Sequence, residues 1–171
     1  MADLLTHVLT AYVLAALLSL RDDRITPAMT TAAMVGGLVP DLNRLGLVVQ
    51  SSAVESALGV PFSWDALGTV GGVAVALGLG TLAVPPRLRR RTATLLALGV
   101  LSHFLLDYLL FFPSGHTHPY LWPLTAAGLP GPGLYLSSAR WPAAVAATCA
   151  ALAWLANRRQ KRVGRVSDSR N

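Results

Sequence analysis

Five apolar runs dominate this chain and limit what it can become: residues 4–20, 25 to about 39, about 66–84, 92–112 and 141–156. Crossing the hydrocarbon core of a bilayer takes about 20 mostly apolar residues, with roughly 17–25 tolerated. Four of the runs come close to that length; the second is short and reads as a tilted or partly re-entrant segment. Polar stretches follow four of them: "RDDR", "PDLNR", "PPRLRRR" and, after the last, "NRRQKRVGR". Hydrophobic residues make up 53% of the 171 and charged residues only 13%, where a soluble domain carries about 25% charged. The expected solvent is therefore lipid, and the length suits a single domain.

Charge sets the expected orientation, because cytoplasmic loops hold an excess of Lys and Arg. If five spans alternate, residues 21–24, 86–91 and the segment from 157 onward share one side and hold twelve of the fourteen basic residues, leaving Arg44 and Arg140 on the other. The expected fold is thus all-α: an integral membrane helical bundle of about five transmembrane helices, amino terminus outside and carboxyl terminus cytoplasmic, in the cell membrane as a multi-pass protein. Residues 1–157 form a single transmembrane domain in this reading, and residues 158–171 a basic cytoplasmic tail without fixed structure. A pI near 10.4 would suggest nucleic acid in a soluble chain. Beside span ends the same residues meet anionic headgroups, so membrane lipid is the expected partner and nucleic acid is not.

The first run has Asp3 where a signal peptide would carry basic residues, and it exceeds the usual 7–15 apolar residues; it is expected to remain as a span. Cys149 is the only cysteine and lies inside the fifth run, which excludes an intrachain disulfide. Gly68 and Gly72 in the third run have the small-xxx-small spacing that lets helices approach closely. Two long connections, 42–65 and 113–140, fall on the outer side. The second contains the turn-rich "LPGPGLY", and Tyr120, Trp122, Tyr135 and Trp141 are expected at headgroup depth.

The chemistry-bearing residues gather on that outer side. His7 opens the first run, Asp41 closes the second, and His103 and Asp107 lie in the outer half of the fourth. A spacing of four puts His103 and Asp107 on one helix face, a turn apart. An ionised carboxylate inside a membrane is costly and must face a partner or water, and a lone buried histidine usually only bonds a neighbouring helix. Two histidines and two carboxylates together suit a divalent transition metal, zinc first, iron or manganese next, with bonds of about 2.0–2.2 Å for zinc. His7, Asp41, His103 and Asp107 are the candidate ligands, with Asp41 and Asp107 as candidate catalytic carboxylates. His116 and His118 read as solvated loop histidines at the mouth of such a site. Asp65 reads as a helix cap, and Asp22 and Asp23 as charge partners of Arg21 and Arg24.

"THVLTAY", "VPDLNRL", "SHFLLDYLL" and "LWPL", in that order through about Thr125, resemble the membrane-bound metal-dependent hydrolases of the YdjM type, also described as LexA-binding, inner-membrane-associated hydrolases. The resemblance implies that His7 matches the family's early Thr-His, Asp41 its Pro-Asp, and His103 with Asp107 its His-x-x-x-Asp. The family's further motif, His-Arg-Gly-x-x-His-Ser before the third span, is replaced here by "GVPFSWDALG", which has no histidine. The expected function is a membrane-embedded metal-dependent hydrolase with an outward-facing site, acting on a lipid or phosphoester. Two readings from other classes use the same residues: an ion or proton transporter, against which stands the absence of inverted-repeat symmetry, and a scaffold whose polar cluster ties helices together.

Overall fold

The computed structural model describes the backbone of residues 3–168 and side chains through residue 161. The described residues form six α-helices: α1 (Leu4–Ser19), α2 (Pro27–Leu38), α3 (Ser51–Leu58), α4 (Val70–Leu82), α5 (Pro86–Tyr108) and α6 (Trp141–Asp168). Two 3₁₀ segments, Val39–Leu47 and Trp64–Gly68, precede α3 and α4. Among the described residues there is no strand, only two isolated bridges within the region from Leu110 to Tyr135. The chain is all-α.

Local chemistry sets the helix starts. Asp3 accepts from the Thr6 amide at 3.0 Å and caps α1; Thr26 caps α2 with Pro27 in its first turn, where a missing N–H costs nothing. Thr69 caps α4 by accepting from the Gly72 amide at 3.3 Å. Asp65, expected as a cap, is not one: Ser63 accepts the Asp65 amide at 3.2 Å and caps the 3₁₀ segment instead. The helix α6 continues to Asp168, so residues 158–168 of the basic stretch expected to be irregular are helical, while residues 169–171 lie outside the described residues. Its Arg, Gln and Lys residues are good helix formers.

Helix α2 packs on both α1 and α5, α6 lies against α1, and α4 against α5. The centre is built from small residues: Ala11, Ala15 and Ala33 are fully buried. Glycine brings the backbones together. A Cβ on Gly99 of α5 would lie 2.0 Å from the Ala33 carbonyl oxygen of α2, and one on Gly36 of α2 would lie 2.1 Å from the Leu96 carbonyl oxygen of α5. Gly68 and Gly72 do not perform this role. Gly68 belongs to a 3₁₀ turn, and a Cβ on Gly72 would meet Ala66 just before its own helix.

No single described helix is long and apolar enough to cross a membrane. At about 1.5 Å per residue, the 16 residues of α1 and 13 of α4 fall short of a core of about 30 Å. The 23-residue α5 opens on Arg87, Arg89, Arg90 and Arg91 and closes on His103 and Asp107. Among the described residues only the stretch Pro27–Leu47 joined to Ser51–Leu58 passes by length and composition, and it is bent by 90°.

Candidate metal centre

The amino-terminal end of α1, the carboxyl-terminal ends of α2 and α5, and the start of α4 meet at one end of the bundle. His7 lies in the second turn of α1, and His103 and Asp107 in the last turns of α5. Pro40 has no N–H to continue the ladder of α2, and the chain tightens there into the 3₁₀ segment that carries Asp41 and Arg44. The relative exposures of His7, Asp41, His103 and Asp107 are 0%, 3%, 1% and 1%.

His7 Nε2 lies 3.4 Å from Asp107 Oδ1, and His103 Nε2 lies 3.5 Å from Asp107 Oδ2. The two imidazoles stack, with centroids 3.7 Å apart and planes 18° from parallel. His103 Nδ1 is 2.8 Å from the Gly37 carbonyl oxygen. A carbonyl only accepts, so Nδ1 carries a proton, and Nε2 is the nitrogen turned towards Asp107. This backbone bond to the outer ring nitrogen is the arrangement that orients metal-ligating histidines. Gly37 makes it available, since a Cβ there would press to 3.1 Å against both the Ala11 methyl and the His7 carbonyl oxygen.

His7 has no such satisfaction. Both of its ring nitrogens are buried and lack a hydrogen-bond partner, although a carboxylate stands 3.4 Å away. Buried polar atoms are normally paired, so the site contains donor atoms aimed at one point with too few bonds between them. His7, His103 and Asp107 each offer one ligand atom, all within 4.8 Å of one another, and the group can hold a metal ion. The separations of 3.4 and 3.5 Å resemble the edge of a tetrahedron with bonds of about 2.1 Å, roughly 3.4 Å. On donor type, burial and spacing the residues fit a divalent ion.

Asp41 stands at the edge of this trio. Its Oδ2 is 4.0 Å from His7 Nε2, and its Oδ1 is 3.0 Å from Arg44 Nε. Both oxygens lack a well-directed hydrogen bond, so Arg44 balances the charge without completing the coordination of the carboxylate. The four sequence candidates therefore converge, three as a tight group and Asp41 beside it. The i,i+3 spacing of Asp41 and Arg44 in "PDLNR" was the available signal for their pairing.

A cavity of about 500 Å³ opens beside the trio, lined by His103 and Asp107 and also by Asn43, Phe104, Tyr120 and Trp122. Tyr120 therefore lines the cavity. Its ring packs on Phe104 at 5.5 Å, and its burial, with the Asp107 charge adding to it, pushes the phenol above the usual range. Tyr135 is also interior, buried against Leu110 with its hydroxyl donating to the Leu106 carbonyl at 2.8 Å. Trp122 and Trp141 are exposed. His118 and Asp65 reach the cavity rim, whereas His116 is exposed and bonds Ser114. Comparison with protein-family models, with curated proteins and with solved structures returns no match.

Proposed function

We propose that the chain is a membrane-embedded, metal-dependent hydrolase of the YdjM type, holding zinc or a similar divalent ion between His7, His103 and Asp107. The observation that carries this reading is the buried His7 ring: neither nitrogen makes a hydrogen bond, although Nε2 stands 3.4 and 4.0 Å from two carboxylates. A scaffold built on polar ties would have them paired. Lipid surroundings are supported by the large apolar side chains on the outside of the bundle, among them Leu5 on α1, Val75 and Leu79 on α4, Leu101 and Leu105 on α5, and Leu152 and Leu155 on α6. Exposed apolar surface of this extent marks a face meant for membrane or partner. The short helices suit a bundle lying in locally thinned lipid, with the basic ends of α5 and α6 on the cytoplasmic side.

When bound, the ion supplies Lewis-acid polarisation and lowers the pKa of a coordinated water towards about 7. The chain's own residues do the rest. Asp107, facing both imidazoles, fixes the ligand set. His103 is held in one tautomer by Gly37. Asp41, beside the trio and charge-balanced by Arg44, takes the proton from the attacking water. The apolar wall of the cavity receives the uncharged part of a lipid or phosphoester.

The test is release of phosphate or acid from vesicles of bacterial total lipid by the zinc-loaded chain. Wild type is expected to turn over and to stop with chelator, and the His103→Ala/Asp107→Ala double variant to be inactive. A wild type no faster than the double variant removes the hydrolase reading and leaves the ion site standing.

A further inference from the structure

Two polar atoms of the cavity remain without a partner. The Tyr120 hydroxyl and Asn43 Oδ1 are both shielded from solvent, and neither has a hydrogen-bond partner in the protein. Both residues line the cavity that His103 and Asp107 also line. Buried hydroxyls and amides are almost always bonded, and a mostly apolar cavity with a few convergent polar groups is the usual form of a small-molecule site.

Tyr120 is fixed rather than loosely placed. Its carbonyl accepts from the Val70 amide at 2.7 Å, and its own amide donates to the His118 carbonyl at 2.7 Å. Its ring lies between Phe104, at 5.5 Å, and the His118 ring, at 6.3 Å. The neighbouring Trp122 carbonyl accepts from the Gly71 amide at 2.9 Å, and a Cβ on Gly71 would lie 2.7 Å from Pro123 Cδ. The segment carrying Tyr120 is therefore clamped to the start of α4, and the hydroxyl is held in position before any ligand arrives.

We propose that Tyr120, with Asn43, is the ligand-binding pair of this cavity, its hydroxyl donating to an oxyanion oxygen of a phosphoester held at the His7, His103 and Asp107 group. This rests on the metal reading above, for an electrostatic reason. Asp107 and Asp41 would repel an anion in the cavity, and only a cation among them reverses that sign. The phenol stays protonated because its burial opposes ionisation, so it acts as a donor. Asn43 Oδ1 accepts from a protonated phosphate oxygen, or the amide, turned about its Cβ–Cγ bond, donates from Nδ2 to an ionised one. Phe104 and Trp122 cover the apolar part of the ester.

The experiment measures binding of inorganic phosphate by calorimetry to the full detergent-solubilised chain, loaded with zinc and freed of excess, with zinc content measured on every sample. Tyr120→Phe is expected to keep the zinc of wild type and to bind phosphate about 10-fold more weakly, the loss of one hydrogen bond to a charged group. Asn43→Ala is expected to keep zinc and weaken phosphate by a smaller factor, and it decides the matter if Tyr120→Phe does not fold. Wild-type phosphate affinity in a zinc-replete Tyr120→Phe chain, or in Asn43→Ala where only that variant folds, overturns the proposal and leaves the metal centre intact. A wild type that takes up zinc but no phosphate does the same. A wild type that takes up no zinc overturns the metal reading and this proposal with it.

Discussion

Gly99→Ala is expected to abolish the fold of the helix bundle rather than merely loosen it. The added methyl carbon would lie 2.0 Å from the Ala33 carbonyl oxygen and 2.6 Å from the Gly37 amide nitrogen. Both are helix backbone, so no side chain can rotate away and α2 must separate from α5. Overpacking a core costs about 1–3 kcal/mol where side chains can yield; here the cost is expected to exceed that range. The damage would reach the site, because the bond from His103 to the Gly37 carbonyl spans the same helix pair one turn further along. Gly78→Ala supplies the control. Nothing lies within 4 Å of a Cβ there, and alanine gains about 1 kcal/mol of helix propensity over glycine, so its thermal midpoint should match or exceed wild type. Equal midpoints for Gly99→Ala and wild type would mean that the two helices are not in the close contact described.

Asp107→Ala is expected to lower zinc affinity by more than about 100-fold, beyond the 10- to 100-fold cost of losing only a partner that orients a ligand. Asp107 is the one member of the trio that faces both imidazoles, at 3.4 and 3.5 Å, and its removal leaves two stacked rings with no anionic donor between them. Competition against a chromophoric chelator measures the change. Asp41→Ala, which removes a carboxylate at the edge of the group, is expected to weaken zinc binding by a smaller factor. An affinity for Asp107→Ala within a few-fold of wild type would place the ion elsewhere.

Five of the six described helices were legible because their apolar runs are long and charged stretches lie between or beside them; α3 was not, falling inside the connection 42–65, and α5 begins at Pro86, ahead of the run read from 92. The convergence of His7, Asp41, His103 and Asp107 followed from counting alternating helices and from the one-turn spacing on α5. Close approach was not legible. Gly36, Gly37 and Gly99 carry the helix contacts, yet glycine is common in apolar helices and no local pattern says which one faces a neighbour. The spacing of Gly68 and Gly72 was the more visible signal, but a turn intervenes between them. Tyr120 was assigned to an interface on residue type alone; its position over the cavity depends on bonds from a long loop to the start of α4, which are contacts between distant parts of the chain. The third helix was also overstated, since its apolar run starts in the Trp64–Gly68 3₁₀ turn and α4 begins only at Val70, while α5 starts before its run and α6 continues past its own.

The most direct test of the metal centre is elemental analysis of the detergent-solubilised wild-type chain, purified without a histidine tag, loaded with zinc and dialysed. About one zinc per chain is the result that the His7 nitrogens, which make no hydrogen bond, and the facing Asp107 carboxylate predict. A folded chain that retains none would contradict the account and leave His7, His103 and Asp107 as a buried polar cluster without a ligand.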